Sequence, residues 1–168
     1  AVKAKKAVAE MPAAALEISV YPAAIAQLTE LEGTITIMRD GQRLPGTLLQ
    51  RLKMGDVLVT SAPSRAVIRA GSRELELGSS TQVRLEDALK TLSVEFGDVQ
   101  FLSEDDAGTQ VMTNRGLSTL SAGTRARFAQ NDGGLSVFVE FGGVEFETVD
   151  GGTNQVGVRL YNERLVLS

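Results

Sequence analysis

The sequence predicts an all-β chain, either a β-solenoid-like coil or a double-layered β-roll of short strands, behind a short Ala/Lys-rich N-terminal tail or helix. Three observations point there. The phrase Val94-Glu95-Phe96-Gly97-Asp98-Val99-Gln100-Phe101 returns as Val139-Glu140-Phe141-Gly142-Gly143-Val144-Glu145-Phe146. In each copy apolar and polar residues alternate on both sides of a glycine step, the pattern of a half-buried strand, a sharp bend and a second strand. Alternating runs of this kind recur roughly every 8–12 residues, as in sandwiches, barrels and solenoids. Helix-period segments are nearly absent, and only Glu86 to Lys90 fits a turn of helix.

Residues 1–17 stand apart: they are alanine-rich, carry Lys3, Lys5 and Lys6, and contain Pro12. Alanine and lysine favour helix, but so short a segment is marginal by itself. It reads as a flexible tail or a short helix that orders against a partner, with residues 18–168 as the all-β domain. Ile18 to Tyr21 alternates until Pro22, and Ile25 to Leu28 and Gly33 to Met38 are β-rich. Asp40-Gly41 is a hairpin signal. Pro45 marks an edge or a turn in the stretch from Leu44 to Leu49.

Gly55-Asp56 is a tight turn feeding a strand over Val57 to Thr60, Pro63-Ser64 turns the chain again, and Ala66 to Ile68 continues it. Gly71-Ser72 and Gly78-Ser79-Ser80 flank Glu74 to Leu77, and Gln82 to Leu85 follows. In the second half, strands are expected at Thr91 to Phe96, Asp98 to Leu102, Thr109 to Thr113, Leu117 to Leu120, Arg125 to Gln130, Leu135 to Phe141, Val144 to Val149, Gln155 to Leu160 and Leu165 to Leu167. Their connections are the acidic loop Ser103 to Gly108, the turns at Asn114-Arg115-Gly116 and Ala122-Gly123-Thr124, and the hairpin loop Asn131-Asp132-Gly133-Gly134. The glycines read as corners, where φ is positive or a Cβ has no room.

Composition narrows function. The 168 residues suit one domain able to bury its own core. A net charge of −4, with arginines dispersed among acids, disfavours nucleic acid. Histidine and cysteine are both absent, which removes the usual zinc, haem and thiol ligands. No apolar run has the length of a membrane span, about 18 residues. A hydrolytic serine needs an activating base, and Lys53 and Lys90 are the only lysines outside the tail. Glu104-Asp105-Asp106 lacks the alternating oxygens of a calcium loop. No glycine run opens a helix, so no phosphate loop is present. The expectation is a protein without catalytic, cofactor-binding or metal-binding residues.

Several phrases combine into a family resemblance. Leu52-x-x-Gly55-Asp56-x-Leu58-x-Thr60 is followed by Ala66-x-Ile68, Leu75-x-Leu77 and Val83-x-Leu85; then come Val111-x-Thr113-x-x-Gly116, Ala122-Gly123-Thr124 and Val137-x-Val139-Glu140-Phe141-Gly142-Gly143-Val144. In order and spacing, from about Glu30 to Val149, this resembles the FecR-type periplasmic domain. Asn114 stands where that pattern has proline, Ala126 where it has phenylalanine, and no aspartate precedes Gly71-Ser72. The resemblance implies an all-β domain of the bacterial cell envelope, periplasmic or secreted. The founding members are iron-transport signal transducers with a cytoplasmic anti-sigma region, a membrane helix and a C-terminal docking domain. This chain resembles a stand-alone version without the membrane helix.

The functional expectation is a non-enzymatic envelope protein acting by protein–protein contact, as a structural or accessory component of an assembly. Its partners would be other envelope proteins or further copies of itself. Exposed strand edges offer the route, and the candidate edges are Ile18 to Leu28 and Gln155 to Leu167. One alternative is a peptidoglycan or glycan binder, for which Tyr21 and Tyr161 are the only tyrosine platforms. Another is the periplasmic signalling domain of a sigma-factor regulator.

Overall fold

The computed structural model describes residues 25–104, 108–148 and 157–167. In chain order its strands are β1 (Ala26–Glu32), β2 (Ile35–Arg39), β3 (Gln42–Pro45), β4 (Arg51–Leu52), β5 (Val57–Thr60), β6 (Arg65–Ala70), β7 (Arg73–Leu77) and β8 (Gln82–Leu85). A 3-10 turn (Asp87–Leu89) leads into β9 (Thr91–Ser103), β10 (Thr109–Thr113), β11 (Gly116–Leu120), β12 (Thr124–Asn131), β13 (Gly134–Phe141), β14 (Val144–Thr148), β15 (Gly157–Leu160) and β16 (Arg164–Leu167). They form two layers. Sheet I has the order β4-β1-β6-β7-β9-β12-β13-β16, and sheet II the order β3-β2-β5-β8-β9-β10-β11-β14-β15. Every pairing is antiparallel except β9 with β10. A coil of stacked repeats would pair its strands in parallel, so the double-layered roll is the form adopted.

Alternation in the sequence becomes inside and outside in the structure. Along β12, Thr124, Ala126, Phe128 and Gln130 are buried while Arg125, Arg127 and Ala129 face outward. The inward sets of both sheets meet in one core, with Leu28, Ile68, Leu75, Phe101, Phe128 and Val137 from sheet I against Ile37, Leu58, Val83, Val94, Val111 and Phe146 from sheet II. Phe101, Phe128 and Phe146 are fully buried. Each such side chain contributes on the order of 1.5–3 kcal/mol by leaving water.

The repeated phrase builds the bends. Its first copy lies in one 13-residue strand, β9, that does not break at Gly97. Thr91 to Phe96 pair in sheet II with β8 and β10; from Gly97 onward the strand pairs in sheet I with β7 and β12. The second copy passes from β13 in sheet I to β14 in sheet II through Gly142-Gly143. Register shows where each half turns. Strand β7 leaves sheet I beside the Gly97 end of β9, because Leu77 faces Val99, whereas β12 enters at the other end, because Thr124 faces Ser103. The N-terminal and C-terminal halves therefore fold between layers at opposite ends of the sheets.

Three corners share one device. A hydroxyl from a facing turn accepts a hydrogen bond from the N–H of the residue after a positive-φ glycine and donates to the same residue's carbonyl. Ser64 clamps Thr34 after Gly33 (3.0 and 3.2 Å), Thr81 clamps Asp98 after Gly97 (3.0 and 3.3 Å), and Thr124 clamps Gly143 after Gly142 (both 3.1 Å). In each case the residue three positions before the hydroxyl (Ser61, Gly78 or Ser121) also donates its N–H to that carbonyl. The approach is so close that a Cβ on Gly97 would stand 2.3 Å from Thr81 Oγ1, and one on Gly142 2.4 Å from Thr124 Oγ1.

At other positions the structure meets or corrects the sequence reading. Asp40 and Gly41, both at positive φ, close the β2–β3 hairpin as expected. Gly55-Asp56 is more than a turn. Asp56 is 1% exposed and accepts from Arg39 Nε (2.8 Å), Arg39 Nη2 (2.7 Å) and the Lys53 N–H (2.8 Å). That pairing raises the pKa of the Arg39 guanidinium above its ordinary value. The expected edge at Ile18 to Leu28 is corrected over its described part, because β1 is flanked by β6 on one side and, at Ala26 and Gln27, by β4 on the other. Residues 1–17, the Ile18 to Tyr21 run, Tyr21, Asp105 and Asp106 lie outside the described residues.

Candidate interaction surfaces

The outer face of sheet I carries a ladder of cross-strand ion pairs. Arg65 of β6 meets Glu30 of β1 (2.9 Å) and Glu76 of β7 (3.0 Å), and Arg69 of β6 meets Glu74 of β7 (2.6 Å). Further along, Arg127 of β12 meets Asp98 of β9 (2.8 Å) and Arg125 of β12 meets Glu140 of β13 (3.6 Å). Hydrogen bonds to Glu76 and then to Glu30 raise the Arg65 pKa, and the bond to Asp98 raises that of Arg127. Two arginines also cover aromatic rings, Arg125 over Phe141 at 5.4 Å and Arg164 over Phe138 at 5.3 Å. Exposed pairs of this kind contribute little to stability individually; their order matters more for what can dock beside them.

Among the described residues, each sheet ends on both sides in a strand with a single neighbour, β4 and β16 in sheet I and β3 and β15 in sheet II. At the N-terminal end of sheet II the terminal strand is β3, paired among the described residues with β2 alone. Opposite residues alternate between hydrogen-bonded and non-bonded pairs, and the bond from the Gly46 N–H to the Ile35 carbonyl fixes the phase. Pro45 therefore occupies a position whose N–H would face the open side, and it has none to offer. At the C-terminal end, among the described residues, β15 pairs with β14 alone and β16 with β13 alone. The Val139 N–H bonds the Glu163 carbonyl, so the Leu165 and Leu167 backbones bond β13 while those of Arg164 and Val166 point to the open side. Val166 is 66% exposed. The predicted edge at Gln155 to Leu167 is thus present over its described strands.

Two hollows adjoin the bends. One, of about 550 Å³, lies at the Gly97 corner between Phe96, Asn114, the Asn131-Asp132 hairpin tip and Ser79-Ser80. Its floor is Gln130, which is buried and reaches from β12 across to the other layer. Gln130 Nε2 donates to the Val94 and Glu95 carbonyls (2.9 and 2.8 Å), and its Oε1 accepts from the Asn114 N–H (2.8 Å). The second hollow, of about 290 Å³, is bordered by Tyr161, Arg159, Glu145 and Ser121. Tyr161 is about half exposed, and its hydroxyl accepts from Arg159 Nη1 at 3.2 Å.

The corner clamps, Gln130 and the Arg39–Asp56 pair escaped sequence reasoning. A signal for one pair of clamps was present: Ser61-Ala62-Pro63-Ser64-Arg65-Ala66 and Ser121-Ala122-Gly123-Thr124-Arg125-Ala126 are a second internal repeat. Among the described residues, no three His, Cys, Asp or Glu side chains gather as a metal site would require, and no helix is long and apolar enough to cross a membrane.

Comparison with known proteins finds a likeness of fold. No family model matches the sequence, and no curated protein matches it. Among solved structures, the chain is similar to a candidate anti-sigma factor from Parabacteroides distasonis, with a TM-score of 0.54 and 17% identity over 66% of this chain. The match spans 54% of that protein, about half its length. At that identity the likeness concerns the fold.

Proposed function

We propose that the chain is a non-catalytic module of the bacterial cell envelope that works by protein–protein contact at its C-terminal strand edge. The observation carrying this reading is the asymmetry between two terminal strands, β3 and β16. Pro45 blunts the edge of β3, whereas β16 turns the backbones of Arg164 and Val166 outward with no proline in the strand. Natural sheets blunt edges that are to stay unpaired, and an unblunted edge is a template for an added strand. The test compares the purified chain with a Val166→Pro variant as bait for envelope proteins of the native host. The wild type is expected to retain a discrete partner that the variant loses. Identical retention by both, or turnover of a substrate by the purified chain, overturns the reading.

The fold likeness to a candidate anti-sigma factor supports a second reading. In it, the chain is the extracytoplasmic part of a sigma-factor regulator of the FecR type, and the open edge is where an upstream signalling protein docks. Deleting the gene should then change transcription of one sigma-dependent set of genes. An unaltered transcript profile under envelope stress removes this alternative.

A further inference from the structure

We propose that β16 receives an extended partner segment whose outward residues are acidic and whose inward residues are apolar. The proposal rests on the edge reading above and adds the chemistry of the occupant. The first ground is the backbone. The N–H and C=O groups of Arg164 and Val166 point away from β13, so a strand laid alongside can continue the ladder with main-chain bonds alone.

The second ground is the charge order of the outer face. Going across sheet I, β1 offers acid, β6 base and β7 acid; then β9 offers acid, β12 base and β13 acid. Strand β16 follows with a base, Arg164, which lies over the Phe138 ring and makes no ion pair among the described residues. In the first triplet, Arg65 has an acid on each side; in the second, Arg127 meets the acid of β9 and Arg125 that of β13. A carboxylate on the incoming strand would give Arg164 the acid that β13, with Phe138 opposite, does not supply, and opposite charges directly across a sheet attract. The third ground is the inner face. Leu165 and Leu167 pack on the core yet remain only partly buried at the margin, so inward apolar residues on the added strand would cover them.

A second copy of this chain fits less well. Pairing β16 with its own counterpart brings another Arg164 and Val166 to the outer row instead of a carboxylate. Like charges there destabilise the pairing.

The experiment measures binding of fluorescent seven-residue peptides to the full chain by anisotropy. One peptide alternates valine with glutamate, the other valine with lysine. The glutamate peptide is expected to bind at least tenfold tighter than the lysine peptide, and to weaken as salt rises. Arg164→Glu should reverse that order. Val166→Pro, which removes an outward N–H and leaves the β13 ladder whole, should abolish binding of both. Should Val166→Pro fail to fold, slowed hydrogen exchange at the Val166 amide of the wild type on adding the glutamate peptide serves in its place. Equal binding of the two peptides, lost in Val166→Pro, overturns the acidic preference while the edge reading stands. No binding, or binding indifferent to Val166→Pro with no slowing at Val166, overturns both.

Discussion

Replacing Gln130 with alanine tests whether the open end of the C-terminal half is held by one side chain. At that end β12 and β13 form a hairpin in sheet I, and β10 and β11 form another in sheet II. Gln130 spans the gap, with its amide engaging the Val94 and Glu95 carbonyls and the Asn114 N–H. Alanine removes all three bonds at a position that is 3% exposed. Each bond is worth about 1 kcal/mol net, so full loss costs about 3 kcal/mol. The neighbouring hollow admits water that can re-pair part of what is freed, which lowers the expectation to roughly 2–3 kcal/mol. For a chain of this size that corresponds to a fall in Tm of roughly 4–12 °C. Urea denaturation followed by circular dichroism is the assay, and the slope m should stay constant while the midpoint falls. A loss below about 1 kcal/mol refutes the strut argument, since net hydrogen-bond contributions cannot be that small three times over. A changed m would place the effect in the unfolded ensemble instead.

Other perturbations separate the remaining supports. Gly97→Ala and Gly142→Ala drive a Cβ into a threonine hydroxyl and add positive-φ strain, so each should cost about 3 kcal/mol or more by thermal melting; Gly55→Ala, also at positive φ but facing open space, should cost only about 1 kcal/mol. Equal losses at Gly55 and Gly97 would show that close approach at the corner is not the cause. Asp56→Ala strands the partly buried Arg39 and should cost about 3–5 kcal/mol in urea. Pro45→Val restores a donor to the β3 edge, and sedimentation velocity should then reveal stronger concentration-dependent association than that of the wild type. Association unchanged from the wild type at high concentration would mean that Pro45 does not guard that edge.

The strands were legible because each buries one face, which imprints a period of two on the sequence. Arg125 to Gln130 and Leu135 to Phe141 could be read from that alternation alone. The first copy of the repeated phrase was read as two strands because a glycine between alternating runs looks like a break. The structure keeps β9 continuous, since Thr81 across the corner supplies the bonds that carry the ladder through Gly97. Such partners are far apart in sequence. Thirty residues separate Ser64 from Thr34 and seventeen separate Thr81 from Asp98. Periodicity reports which face a residue occupies, not which distant hydroxyl it meets. The misplaced N-terminal edge has the same origin. Nothing in Ile25 to Leu28 signals that the two-residue strand β4 returns to cover it.

A shared corner device also bears on why function should concentrate at one end. The clamps satisfy the backbone at three of the crossings between layers, those at Gly33, Gly97 and Gly142, where the chain closes on itself by hydrogen bonds. Among the described strands, β3, β4, β15 and β16 have a neighbour on one side alone, and of these β3 is capped by proline. The polar surface is similarly committed, because the arginines of β6 and β12 already hold carboxylates on adjoining strands. A partner that bound the flank would have to break those pairs, at a cost comparable to what it could gain. At β16 a partner breaks no ion pair among the described residues. Outward backbone groups, a cation without a counter-ion among the described residues and, on the inner face, two half-covered leucines adjoin the same edge, so an added strand gains on all three counts.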